Sequence, residues 1–176
     1  MHSELEALIP EFRAISDASL RTKCLEVWEE ALRRGGFGLR DLERMPFTIL
    51  VDGVQISFVE HVRTVAKLCI SMADILLDAY GTRVKISKDH LIAGAMLADV
   101  GKVMEYQEKD GKFVKSRHGK YLRHPFTGVG LAFAKGVPDE VMHVIAVHSK
   151  EGDHFKRSPE AIIFHHADFT DFELVQ

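Results

Sequence analysis

Apolar residues recur along most of the chain at the spacing of helices that bury one face. Over residues 18–34, Leu20, Cys24, Val27, Trp28 and Leu32 fall three or four positions apart, which lines one side of a 3.6-residue helix. Residues 3–14 carry a shorter pattern of the same kind and predict another helix. Arg33-Arg34-Gly35-Gly36 reads as a positive last turn followed by a glycine stop. The clearest pattern spans 57–80, where Phe58, His61, Val65, Leu68, Met72 and Ile75 share a face and turn His61 inward. Ser57 with Glu60 three residues on has the form of a capping box, and Gly81 ends the helix. Residues 88–102, behind the cap candidate Ser87, are apolar all round and predict a central buried helix with Asp99 and Lys102 in its last turn. His124-Pro125 opens a helix ending near Gly136, since proline suits the first helical position. Pro138 starts one reaching about Ser149, with Val141, Ile145 and His148 on one face. Ser158-Pro159-Glu160 starts the last, in which Ala161, His165, Asp168 and Phe172 share a face and His166 lies beside it.

Two stretches break this pattern. Residues 47–57 carry Asp52-Gly53 between apolar runs and read equally as a short hairpin or as a loop into the next helix. Residues 105–116 read as an exposed hairpin turning at Asp110-Gly111. An all-α chain with one or two small β-hairpins follows.

The 176 residues suit one domain with an appendage: a helical extension over 1–45 packed on a core over 46–176. Lys plus Arg (23) nearly balance Asp plus Glu (26), which points away from nucleic acid or a membrane surface. The acidic start MHSELEALIP has no signal-peptide core and no apolar run approaches a membrane span, so a cytoplasmic protein is expected. Cys24 and Cys69 sit in helical patterns and read as reduced packing residues. Trp28 and its apolar stripe fit either a cover over the core or a homodimer interface.

The chemistry concentrates at Leu97-Ala98-Asp99-Val100-Gly101-Lys102. Asp99 closes an apolar run, so its carboxylate needs a cation or several hydrogen bonds. It also stands where the helix macrodipole disfavours negative charge. His61, His124, His148 and Asp168 lie on inward faces of other helices, with His165 next to the last. Imidazoles and carboxylates from several helices can build a metal site in a bundle core. Without a thiolate they suit Fe, Mn, Ni, Co or Zn in a reactive site better than a structural zinc.

Their order carries a resemblance. His61 in FVEHVRTV, Asp99 in MLADVGK, His124 in RHPFTG, His148 in AVHSKEGD and Asp168 in HHADFTD follow the pattern of the HD-domain superfamily of metal-dependent phosphohydrolases. That resemblance implies an HD-domain helical bundle over 46–176 holding one or two divalent transition metal ions. One ion would be held by His61, Asp99 and Asp168, the other by Asp99, His124 and His148, with Asp99 bridging. The departure is Ala98, which stands where the family's motif has its histidine and weakens the first site. Three readings of Ala98 stand: a substitution made to inactivate the protein, a natural site in which His165 or water fills the gap, and a degenerate member that binds ligand without turnover.

The implied activity is hydrolysis of a phosphomonoester or nucleotide-type substrate through metal-activated water, with Asp99 and Lys102 as the catalytic pair and a small anionic phosphorylated substrate as partner. Lys102 is a phosphate contact or an ion-pair partner of Asp99. The basic run Lys112, Lys115, Arg117, His118, Lys120, Arg123 leads into His124 and is solvated surface or the mouth of the site. In the second case Lys120 and Arg123 add phosphate contacts and 112–120 forms a lid. Glu60 is an acid/base group or only the capping-box partner. The alternatives are a di-iron oxygenase of the same fold and a non-catalytic ligand-binding HD protein.

Overall fold

The computed structural model describes residues 1–51 and 53–175. The chain runs through α1 (His2–Leu8), a 3₁₀ turn (Pro10–Ala14), α2 (Ala18–Gly35), α3 (Leu39–Arg44) and α4 (Phe58–Tyr80). It continues through α5 (Lys88–Leu97), α6 (Lys102–Glu105), the strands β1 (Tyr106–Lys109) and β2 (Lys112–Lys115), and α7 (Arg117–Tyr121). α8 (His124–Ala134), α9 (Asp139–Val147) and α10 (Pro159–Glu173) complete it. It is an all-α bundle with one two-stranded antiparallel sheet among the described residues.

α5 is the axis. Every residue from Leu91 to Leu97 is buried, which is why its sequence is apolar all round, and α4, α9, α10 and α2 pack on its sides. α4 begins at the expected capping box: the Ser57 amide donates to Glu60 Oε2 at 2.8 Å and the Glu60 amide to Ser57 Oγ at 3.2 Å. Glu60 is therefore the capping-box partner, exposed beside the buried Phe58, Val59 and His61. α2 ends at Gly36, whose φ of 74° is the left-handed conformation that a helix stop of this kind requires. Trp28 on α2 lies edge-on to Phe12 and against Phe58, and its indole Nε1 donates to the Met96 carbonyl at 2.8 Å. Cys24 and Cys69 are buried free thiols whose pKa burial pushes up to about 12.

Three expectations change. The helix predicted over 3–14 breaks at Pro10, which has no N–H and starts a 3₁₀ turn instead. The helix predicted over 88–102 ends at Leu97, and Asp99 lies in the turn before α6 rather than in a last helical turn. The bend brings Gly101 against α8, where a Cβ would stand 2.2 Å from the carbonyl oxygen of His124. Residues 47–57 form a loop pinned like a hairpin at its base, with a bridge between Pro46 and Ser57 and the Phe47 amide donating to Ile56 at 3.3 Å. Asp52 of the turn signal lies outside the described residues, while Gly53 has a φ of 76°. The 105–116 hairpin is present, with Tyr106 paired to Lys115 and both Asp110 (φ 53°) and Gly111 (φ 73°) in left-handed conformations at the turn. No described helix is long and apolar enough to cross a membrane.

Candidate metal centre

Four segments converge on Asp99. α4 delivers His61, α8 delivers His124 at its first position, the C-terminal end of α9 delivers His148, and α10 delivers Asp168. Asp99 Oδ2 lies 3.0 Å from His61 Nε2, which also meets Asp168 Oδ1 at 3.1 Å. Asp99 Oδ1 lies 3.3 Å from His124 Nε2 and 3.6 Å from His148 Nε2. The carboxylate thus faces two groups of donors at once, His61 with Asp168 and His124 with His148. Within each group the donor atoms lie within 4.8 Å of one another.

The protons show what these groups suit. His124 Nδ1 donates to Glu105 Oε2 at 2.9 Å and His148 Nδ1 donates to the Ile145 carbonyl at 2.7 Å. The two Nε2 atoms then face each other at 3.1 Å and both face Asp99. Burial, opposed by the Glu105 hydrogen bond, lowers the His124 pKa to about 4, so the ring is neutral at neutral pH. Three electron-pair donors aimed at one point fit a divalent transition metal. The other group is similar: His61 Nδ1 donates to Asp171 Oδ2 at 2.7 Å, leaving Nε2 toward two carboxylates. Burial there pulls the His61 pKa down, but hydrogen bonds to Asp168, Asp171 and Asp99 overcome it and hold it up at about 10. Without an ion, a proton on His61 partly offsets the carboxylates around it.

Asp171 and Glu105 escaped the sequence reading. Asp171 lies three residues past Asp168 on α10, a helical spacing that was a usable signal. Glu105 gave none, because it reaches its ring from a neighbouring α6 turn. It accepts from the His124 backbone amide at 2.7 Å as well as from the ring; burial works against its charge, but those hydrogen bonds and the Arg123 charge outweigh it and lower its pKa. Such carboxylates fix the tautomer and direction of ligand imidazoles.

The basic candidates separate. Lys102 Nζ donates to Asp99 Oδ2 at 2.8 Å and lies 5.7 Å from the centre of the Phe47 ring, itself stacked on His61 at 4.5 Å. Burial opposes the Lys102 charge, but Asp99 outweighs it and raises the pKa; reciprocally, Lys102 is the main influence holding Asp99 well below the usual carboxylate range against burial. Arg123 is a strut, donating Nε to Glu151 at 2.9 Å and Nη1 to Glu105 at 3.1 Å. Lys120 is exposed and does not line the cavity over the centre, whereas Lys115 and Lys150 do. His165 stands outside both donor groups: its Nδ1 meets the carbonyl of His148 at 2.8 Å and its ring lies 4.4 Å from Phe169. Ala98 is fully buried at the end of α5.

The cavity holds about 450 Å³ and is lined by all five candidate ligands and by the apolar Phe47, Ile49, Leu50, Phe169 and Phe172. The family model of the HD domain matches residues 58–172. The chain is similar to the dihydroneopterin 2′,3′-cyclic phosphate phosphodiesterase of Methanocaldococcus jannaschii, at 35% identity over 121 residues. That match covers 66% of this chain and 46% of the relative, so the chain spans less than half of the relative's length. No solved structure matches it significantly.

Proposed function

The chain belongs to the HD-domain family, and from that premise we propose that it is a metal-dependent phosphohydrolase acting on a small phosphoester. The observation that carries this reading is the His124–Asp99–His148 group, three potential ligand atoms drawn together while both Nδ1 atoms are held by other acceptors. Asp99, His124 and His148 would hold one divalent ion, and His61, Asp99 and Asp168 a second, weaker one. A divalent ion bound here lowers the pKa of a coordinated water to about 7 in favourable cases and polarises a phosphoryl oxygen.

The chain's own residues do the rest. Glu105 and the Ile145 carbonyl keep the two Nε2 atoms directed at the centre, and Asp171 does so for His61. Lys102 neutralises Asp99 and limits the negative charge that an incoming phosphoryl group meets. Lys115 and Lys150 add positive charge at the wall. The relative's printed activity on a cyclic phosphodiester supports a phosphoester substrate here too.

The test is metal content and turnover together. Protein purified without chelators, and again after Mn or Fe loading, is analysed by plasma mass spectrometry and assayed on phosphomonoesters, cyclic phosphodiesters and nucleotides. Bound metal with metal-dependent hydrolysis of at least one class is expected. Metal-free protein that no loading changes, or loaded protein without hydrolysis, overturns the reading.

A further inference from the structure

We propose that Tyr106, at the base of the β-hairpin, is a substrate-binding residue whose hydroxyl donates a hydrogen bond to a phosphoryl oxygen; this rests on the phosphoester reading above. Of the hairpin, Tyr106 and Lys115 line the cavity that also holds Asp99, His124 and His148. They are cross-strand partners, so their side chains leave the same face of the two-stranded sheet.

The fold fixes this pair at the hairpin base. The Ser116 amide donates to the Glu105 carbonyl at 2.8 Å, and Ser116 Oγ donates to the Met104 carbonyl at 2.7 Å. Gly119 packs against the Glu105 backbone, where a Cβ would have no room. Residues 107–112 are all exposed, so the tip is solvated surface and the base is the part that meets the site.

Tyr106 is 5% exposed, yet among the described residues nothing hydrogen-bonds its hydroxyl. A buried tyrosine ordinarily finds a partner for its O–H, and phenylalanine would fill the same space without an unpaired polar group. The described side-chain atom that is sealed off without a partner is Glu151 Oε2. The Tyr106 hydroxyl is not sealed off, so it reaches the open space of the cavity. The charges of Lys102, Asp99, Glu105 and Arg123 act on it, and all four residues line that same cavity. Burial is the larger influence and pushes its pKa up to about 12, so at neutral pH it keeps the proton that it donates. The carboxylates near it are already engaged, Asp99 by Lys102 and Glu105 by Arg123 and His124. The free acceptor that a phosphoester brings in is its phosphoryl oxygen, and Lys115 adds positive charge from the neighbouring strand.

Tyr106→Phe removes the hydroxyl and keeps the ring. Binding of inorganic phosphate to Zn-loaded protein is read by titration calorimetry, and Zn affinity by chelator competition. Phosphate should bind the variant about 10- to 100-fold more weakly, with Zn affinity and Tm unchanged. Tyrosine labelled with carbon-13 at Cζ gives a second reading on the parent protein, without any substitution. Phosphate should shift the signal of the buried Tyr106 and leave those of the exposed Tyr80 and Tyr121 in place. Unchanged phosphate affinity in Tyr106→Phe, parallel loss of Zn and phosphate binding, an unmoved Tyr106 signal, or no phosphate binding by the parent overturns the proposal. Hydrolysis is scored separately. Phosphate binding that depends on Tyr106 without turnover of any phosphoester would sink the phosphohydrolase reading alone, and turnover with phosphate binding indifferent to Tyr106 would sink this proposal alone.

Discussion

His124 and His148 aim their Nε2 atoms at each other across 3.1 Å, each with its Nδ1 proton committed to another acceptor. Two imidazole nitrogens in that relation, with the Asp99 carboxylate beside them, are the atoms a divalent ion would bind. Replacing His148 by alanine should therefore abolish tight metal binding and not merely lower activity. Bound ligand stabilises in proportion to its saturation, by about 2.7 kcal/mol at a hundred times Kd. The metal-induced rise in Tm should be lost in His148→Ala; an unchanged rise would place the tight site elsewhere.

Glu105 is a sharper probe, because it does not belong to either donor group. Glu105→Gln leaves every candidate ligand in place but weakens the acceptor for His124 Nδ1. Loss of an orienting carboxylate of this kind costs about 10- to 100-fold in metal affinity. A competitive chelator titration reads this directly, and affinity within twofold of the parent would mean that the ring is held by the backbone alone.

Gly101→Ala should damage the same ring by a different route. Its Cβ would stand 2.2 Å from the His124 carbonyl oxygen and 2.9 Å from the His124 Cα, both of them backbone atoms that cannot rotate away. Overpacking of this type costs about 1–3 kcal/mol. Urea denaturation should show that loss, together with weaker metal binding. A neutral substitution would mean that α6 shifts freely against α8.

The two donor groups should differ in their protons. His61 has its pKa raised from 6.5 to about 10 in the metal-free fold. A raised folded pKa gives stability that is fully present below pH 6.5 and is lost as pH rises through about 10. Chelator-treated protein should accordingly lose denaturant stability across that window, and flat stability would contradict the His61 ion pairs. Metal entering the His61 group near pH 7 should displace roughly one proton, whereas His124, already neutral with a pKa of about 4, should release none. Calorimetric enthalpies in buffers of different ionisation heat should separate the two events.

Ala98→His restores the imidazole of the HD pattern beside Asp99. It should raise metal stoichiometry toward two ions per chain without changing affinity at the His124 group. Unchanged stoichiometry would mean that the buried end of α5, where Ala98 is fully enclosed, has no room for the ring.

Local patterning alone determined that the chain is helical, which faces turn inward, and the order His61, Asp99, His124, His148, Asp168, since periodicity and caps depend on residues a few positions apart. Asp171 was within its reach for the same reason. Tertiary structure alone showed the end of α5 at Leu97 and the close approach of Gly101 to the His124 backbone, since that contact joins segments far apart in sequence. It also decided which charges are spent. Arg123 is ion-paired to Glu105 and Glu151 where it lines the cavity, and His165 turns its Nδ1 to the His148 carbonyl. Those partners are 17 to 28 residues away along the chain, and a hydrogen bond between side chains of different segments leaves no trace in the period of either one.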